Sequence, residues 1–284
     1  MEWVRSLNNA IEYIEENLCQ EFTCADVANS VFLSGFHFQR VFSRMTGLTV
    51  SEYVRNRRIS LAGAELQARE SKVIDVAMKY CYETPESFAK AFKRFHGVTP
   101  MQAKRKGVPL KYFARLTIKI VMEGGDVMNY RIVDKGIFTV VAKTREFVDE
   151  TSAIEIPKFW NEYFAKGYHK KVCGAIGICC AAEEGKSSWK YGIGAEDTPK
   201  FVKDIPEGFE KIQVPAYTWA IFTCVGAMPD AIQNTWKRIY SEWLPQAEYE
   251  MIQDYDIEYY TEGNTQSPDY VSEIWIPVRK KSQM

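Results

Sequence analysis

The sequence predicts an α+β protein of two unlike domains: an all-α domain over residues 1–107 and, over 108–284, an α+β domain of two pseudo-symmetric β-α-β-β halves. Three observations predict it. The first is a repeat within the opening hundred residues: Asp26-Val27-Ala28 recurs as Asp75-Val76-Ala77, Phe38 and Phe42 as Phe88 and Phe92, and Gly47-Leu48-Thr49 as Gly97-Val98-Thr99. The second is a change of period past Lys104-Arg105-Lys106-Gly107, where helical spacing gives way to strand-like alternation over Tyr112–Val121 and a turn at Gly124-Gly125. The third is a weaker repeat, in which the eighteen residues from Tyr130 to Phe147 resemble those from Phe209 to Gly226, each a pair of strands around a turn.

The elements follow in order. An opening amphipathic helix carries Val4, Leu7, Ile11, Ile14 and Leu18 on one face. In the first copy of the repeat, Thr23 caps a short helix bearing Val27 and Ala28, and Ser34 caps a second helix with Phe38, Val41 and Phe42 on its apolar face. In the second copy Ser71 and Thr84 are the corresponding caps, and Phe88, Ala91, Phe92 and Phe95 turn inward. The offset between copies grows from 49 (26 to 75) to 50 (38 to 88), which places one extra residue between the two helices of the second copy. A long helix over about Val50–Arg69 joins the copies and carries the basic run Arg55-Asn56-Arg57-Arg58. Each copy is therefore a helix-turn-helix.

Beyond residue 108 each strand pair precedes an aromatic-rich helix, over about Ile156–Lys166 and Pro229–Trp243. Further strands are expected at about Gly174–Ala181, Trp189–Ala195, Tyr255–Thr261 and Tyr270–Val278, with a groove between the two halves.

Composition narrows the function. Residues 1–107 carry 15 Lys and Arg against 12 Asp and Glu, and the remainder 21 against 25, so a polyanion belongs with the first domain. No secretion signal and no apolar run of about 18 residues is present, which predicts a cytoplasmic protein without a membrane span. Seven cysteines lack the CxxC spacing of a zinc site, and His37, His96 and His169 lie far apart, so no metal, cofactor or catalytic set is expected.

The run Phe36-His37-Phe38-Gln39-Arg40-Val41-Phe42, the linking helix, Ser87-Phe88-Ala89-Lys90-Ala91-Phe92-Lys93 and Gly97-Val98-Thr99-Pro100 resemble the AraC/XylS family DNA-binding domain over about residues 4–106. The resemblance implies two recognition helices, near Gly35–Met45 and Pro85–Phe95, entering adjacent major-groove segments about one turn (~34 Å) apart. It places Phe36, Gln39, Arg40, Pro85, Glu86, Ala89 and Lys90 toward bases. By side-chain chemistry Arg40 suits guanine, Gln39 adenine, Phe36 a thymine methyl and Glu86 cytosine, with Lys90 reaching guanine or phosphate. Arg44, Lys93, Arg57 and Arg58 suit phosphate. Pro85 and Ala89 offer no side-chain hydrogen bond, so the first helix is expected to supply more of the discrimination. Phe32 and Cys81 stand where the family commonly has glycine in the turn, which predicts strained or altered backbone at both.

The second domain resembles GyrI-like ligand-binding domains over about residues 110–281, most specifically through Tyr270-Val271-Ser272-Glu273-Ile274-Trp275-Ile276-Pro277-Val278. The domain order is similar to Rob-type regulators. Alternation along that last strand puts Tyr270, Ile274, Ile276 and Val278 on a core face and Val271, Glu273 and Trp275 on the other. An unpaired Glu273 there would be costly unless solvated, protonated or paired, and an organic cation held against aromatic walls solves this. The resemblance implies the same role, with Trp160, Trp219, Trp243, Tyr191, Tyr260 and Trp275 as candidate walls.

These readings lead to a transcription regulator whose partners are double-stranded DNA, a small cationic or amphipathic effector of the kind bound in multidrug recognition, and RNA polymerase. Two other classes stay open: a hydrolase like some stand-alone GyrI-like proteins, and a module that sequesters toxic molecules, with autoregulatory DNA binding.

Overall fold

The computed structural model describes residues 2–33, 35–68, 71–118, 127–180 and 188–281, without the side chains of residues 2, 3, 36, 37, 149, 150 and 153. The expected cap Ser34, the Phe36 side chain and the turn at Gly124-Gly125 lie outside the described residues. The chain forms two compact units, Met1–Val121 and Met122–Met284.

In the first unit, α1 (Glu2–Glu16) precedes α2 (Cys24–Ser30) and α3 (Gly35–Thr46), α4 (Val50–Ala68) follows, and α5 (Val73–Lys79) and α6 (Pro85–His96) repeat the pair before a short α7 (Pro100–Ala103). Thr23 begins α2 with a capping box, its hydroxyl accepting from Asp26 N–H while Asp26 accepts from Thr23 N–H. Thr84 caps α6 in the same way through Ser87 N–H. Ser71 does not cap α5: the offset of 49 brings Lys72, not Ser71, into the place of Thr23, and Lys72 makes no side-chain cap bond. Phe38, Phe42, Phe88 and Phe92 are fully buried, each stabilising its motif by about 1.5–3 kcal/mol.

The glycine-free turns do adopt the backbone that glycine favours. Phe32 has φ +58° and Cys81 φ +59°. Each follows a helix closed by paired bonds back to its last turn: Phe32 N–H to Asn29 O and Leu33 N–H to Ala28 O, then Cys81 N–H to Met78 O and Tyr82 N–H to Ala77 O. The extra residue of the second copy falls after Cys81, before α6.

The first unit extends past the expected boundary after residue 107. Residues 111–118 are not a strand. Their burial does not alternate: half-buried Phe113, Leu116 and Ile118 are spaced by three and two, on a segment whose N–H groups are taken by side chains of the helices.

The second unit holds β1 (Tyr130–Lys135), β2 (Phe138–Val148), α8 (Asp149–Ala165), β3 (Ile176–Cys179), β4 (Ser188–Glu196), β5 (Glu210–Val214), β6 (Tyr217–Val225), α9 (Asp230–Arg238) with a π-helical turn (Ile239–Trp243), β7 (Tyr249–Met251), β8 (Asp256–Tyr260) and β9 (Val271–Lys280). The antiparallel sheet runs β1-β6-β9-β8-β3-β4-β2-β5, with β7 also on β9. Exchanging β1 with β5, β2 with β6, β3 with β8 and β4 with β9 turns this order into its own reverse, so a pseudo-twofold axis passes between β3 and β8.

The two strand pairs of the weaker repeat do not close as hairpins. β1 pairs with β6 and β5 with β2, each half lending its first strand to the other, and one register runs through both ladders, from Lys135↔Tyr217 to Phe138↔Val214. The second two-residue connection explains this. Tight hairpin turns need positive φ at the first central residue, which Pro215 at the head of Pro215-Ala216 cannot adopt; Gly136-Ile137 carries no such bar, and its pair opens because β5 and β6 are already parted.

Helices α8 and α9 lie on one face of the sheet, the face of Tyr191, Gly177, Glu258, Ile274 and Phe222. The other face packs on itself, with Phe138, Val140, Ile178, Val214, Trp219 and Ile257 in one buried cluster.

Candidate functional site

The two helix-turn-helix motifs share a backbone but present different surfaces. On α6, Glu86, Lys90, Lys93 and Arg94 are exposed, while Phe88, Phe92 and His96 turn inward. On α3, Gln39 and Arg44 are half-buried and Arg40 is only 9% exposed. Arg40, which suits guanine by its chemistry, thus lies against the domain in this structure.

Arg57 and Arg58, expected at phosphate, are held by partners within the helical unit. Arg57 is buried, paired with Glu15 at 2.6 Å, and Arg58 donates to Leu18 O and Gln20 O beneath the Phe22 ring. Burial pushes the Glu15 carboxyl up, but hydrogen bonds from Arg57 and Tyr53 outweigh it and hold the group below its ordinary value.

In the second unit the expected aromatic wall residues divide between the two faces of the sheet. Trp160, Tyr191 and Tyr260 come together on the helix-covered face, close to the pseudo-twofold axis. Trp160 Nε1 donates to Tyr191 Oη at 3.0 Å, and Tyr260 Oη donates to Glu258 Oε2 at 2.9 Å. The two tyrosine hydroxyls also act on each other electrostatically. Trp236 Nε1 from α9 reaches Glu258 Oε1 at 3.3 Å, which closes the floor from the other half. Burial, then the charge of Glu258, raises both tyrosine pKa values well above the ordinary range, so both hydroxyls stay protonated donors.

Gly177 makes the arrangement possible, because a Cβ there would collide with the Tyr191 hydroxyl. Trp160 stands edge-on to Tyr260 at 5.0 Å and stacks on Phe164, itself 48% exposed, so rings form the solvent rim above a carboxylate floor.

Glu258 and Trp236 were not singled out from sequence, yet a signal exists. Alternation over Asp256-Ile257-Glu258-Tyr259-Tyr260 sets an acid beside a tyrosine on one strand face, the same pattern that drew notice to Glu273.

Glu273 and Trp275 lie on the opposite face. There Glu273 is already an ion-pair partner, with Arg131 at 2.9 Å and Trp275 Nε1 at 2.8 Å, and its side chain is 17% exposed. The expectation of an unpaired counter-ion is corrected by that bond from β1. Trp219 is core, packed against Phe138 and Trp275, and its buried Nε1 has no partner among the described residues. Trp243 packs on Phe222 and Tyr130, over β6 and β1, two strands out from Glu258.

Among the described residues no helix is long and apolar enough to cross a membrane. Comparison with known proteins matches residues 131–278 to a family described as integron-associated effector binding protein, and residues 27–106 to a helix-turn-helix domain. The HTH-type transcriptional activator AarP of Providencia stuartii is 38% identical over 94 residues, 33% of this chain and 70% of that protein. The regulatory protein SoxS of Salmonella typhimurium strain LT2 is 32% identical over 100 residues, 35% of this chain and 94% of its own length. A solved protein bound to tetraphenylphosphonium is 22% identical, covering 54% of this chain and 94% of that one, with a TM-score of 0.46.

Proposed function

The chain belongs to the integron-associated effector binding proteins through its second unit and to the AraC-type helix-turn-helix regulators through its first, and from that premise we propose how it reads DNA and what controls it. It is a DNA-binding transcription regulator with a C-terminal effector-binding domain. Helices α3 and α6 enter adjacent major-groove segments. Gln39, Glu86 and Lys90 meet base edges, and Arg44 and Lys93 meet phosphate. It acts in the cytoplasm, with RNA polymerase as its further partner.

The effector is an aromatic or amphipathic cation held in the groove between α8 and α9. One observation carries this reading: the Glu258 carboxylate accepts from Trp236 and Tyr260 on the helix-covered face, with the Trp160 ring packed edge-on against Tyr260. The site is one for binding and not for catalysis, since the groups around that carboxylate are tyrosine and tryptophan donors fixed in place. For the ligand to regulate, it has to prefer one DNA-binding arrangement over another.

The test uses duplexes selected by the full chain from a random pool. Footprinting should show two protected major-groove segments about one turn apart, and tetraphenylphosphonium should change the affinity for the selected duplex. A single protected segment, or unchanged DNA affinity under saturating tetraphenylphosphonium, contradicts the proposal.

A further inference from the structure

Residues 108–118 run along the first unit as a segment whose backbone groups are taken by helix side chains, with Leu110 packed on the core of the second motif and Phe113 on Tyr53. Gln67 donates to Val108 O at 2.6 Å, and His96 Nδ1 accepts from Lys111 N–H at 3.2 Å. Ser60 accepts from Phe113 N–H at 2.9 Å, while Arg57 donates to Phe113 O at 2.5 Å. Tyr53 accepts from Leu116 N–H at 3.2 Å. Asn8 grips Ile118 at both ends, donating to its O at 2.9 Å and accepting from its N–H at 3.0 Å.

The anchors form a pattern. Tyr53, Arg57, Ser60 and Gln67 are spaced by four, three and seven residues, so they make one stripe along α4, and the segment runs antiparallel to it. Asn8 extends the stripe onto α1, and His96 supplies the end of the second recognition helix. His96 is wedged there, bonded through Nε2 to Ile59 O and through Nδ1 to the segment, with Gly63 leaving the space its ring fills. Since Nδ1 accepts an N–H, the ring proton sits on Nε2.

We infer that residues 108–118 are a strap that ties the two helix-turn-helix motifs into one DNA-reading geometry. The strap touches α1, which packs on the first motif, α4, which joins the motifs, and α6, which belongs to the second. Not every strap side chain takes part in the docking: Ala114 and Thr117 are exposed, whereas Tyr112 bonds to Arg57 and the Arg115 charge acts on Glu15.

This inference rests on the reading that both motifs engage DNA, and the test separates the two. In the full-length chain, hydrogen exchange should show the amides of Phe113, Leu116 and Ile118 protected in the wild type and released in the double variant Asn8→Ala, Ser60→Ala. The same variant should bind the selected duplex about tenfold more weakly, and its footprint should shrink to one segment. The control Thr117→Ala leaves protection, affinity and footprint unchanged, and circular dichroism checks that every variant is folded. A single-segment footprint in the wild type sinks the two-motif reading. Two segments in both wild type and folded double variant, strap amides exchanging at free-coil rates in the wild type, or a control that behaves like the double variant, each overturn the strap.

Discussion

Both units are built by duplication, and the copies are joined in opposite ways. In the helical unit each copy is complete within its own stretch of chain: α2 and α3, then α5 and α6, each pair with its own phenylalanine core and its own positive-φ turn. In the sheet unit neither copy is complete, because β1 is held by β6 and β5 by β2. Self-contained copies are free to diverge in surface while keeping their backbone, which is how α3 comes to bury Arg40 while α6 exposes Glu86, Lys90 and Lys93. Copies that exchange strands share one core and have to change together.

Trp219→Ala probes that shared core hardest. Trp219 belongs to the second half but packs against Phe138 of the first, so the substitution should cost about 3–5 kcal/mol and lower a single calorimetric transition for the whole sheet unit. Separate transitions for the two halves would break the comparison.

On the helical side, Gln39→Ala should cost about 1–3 kcal/mol of DNA binding and relax preference at one base position. Arg40→Ala should weaken all duplexes alike, because the side chain is turned into the domain. Loss of preference at one position with Arg40→Ala would show that the side chain swings out on binding.

A smaller effect tests whether the copies keep the same backbone. Phe32→Gly and Cys81→Gly should each stabilise the helical unit by about 0.5–1 kcal/mol, the relief of left-handed strain less the added freedom of the unfolded chain. Chemical denaturation should give equal gains at the two sites, and unequal gains would mean the turns differ.

The smallest signal is from pH. Burial lowers the pKa of His96 below its ordinary 6.5, with the Lys111 charge adding to that and the Ile59 bond opposing it. Its neutral form is the one the fold holds, so the helical unit should keep this contribution above pH 6.5 and lose it as the pH falls, when the unfolded chain takes up the proton first. His96→Gln should flatten that slope in thermal melts; a slope left unchanged assigns the pH dependence to other groups.

The difference in joining also explains what could be read from the sequence. The helical repeat was legible because its contacts are local: Thr23 caps through Asp26, and Phe38 lies one turn from Phe42. Even its one misplaced cap, Ser71, missed by a single residue. Strand exchange leaves only Pro215 as a local mark and does not say where the partners lie, since Tyr130 finds its own at Phe222. The partner of Glu273 was hidden for the same reason. Alternation along one strand assigns faces correctly, but it does not say which face the helices cover, nor that Arg131 arrives from a strand far away in sequence. The strap was misread as a strand because its alternation in sequence does not carry over to its burial: half-buried Phe113, Leu116 and Ile118 are spaced by three and two.

The account turns on which of two carboxylates, on opposite faces of one sheet, answers the effector. Calorimetric titration of the full chain with tetraphenylphosphonium and with neutral triphenylphosphine oxide decides it. Glu258→Gln should weaken binding of the cation by about tenfold or more and leave the neutral compound unaffected, while Glu273→Gln leaves both unchanged. Cation affinity lost with Glu273→Gln and kept with Glu258→Gln would contradict the account.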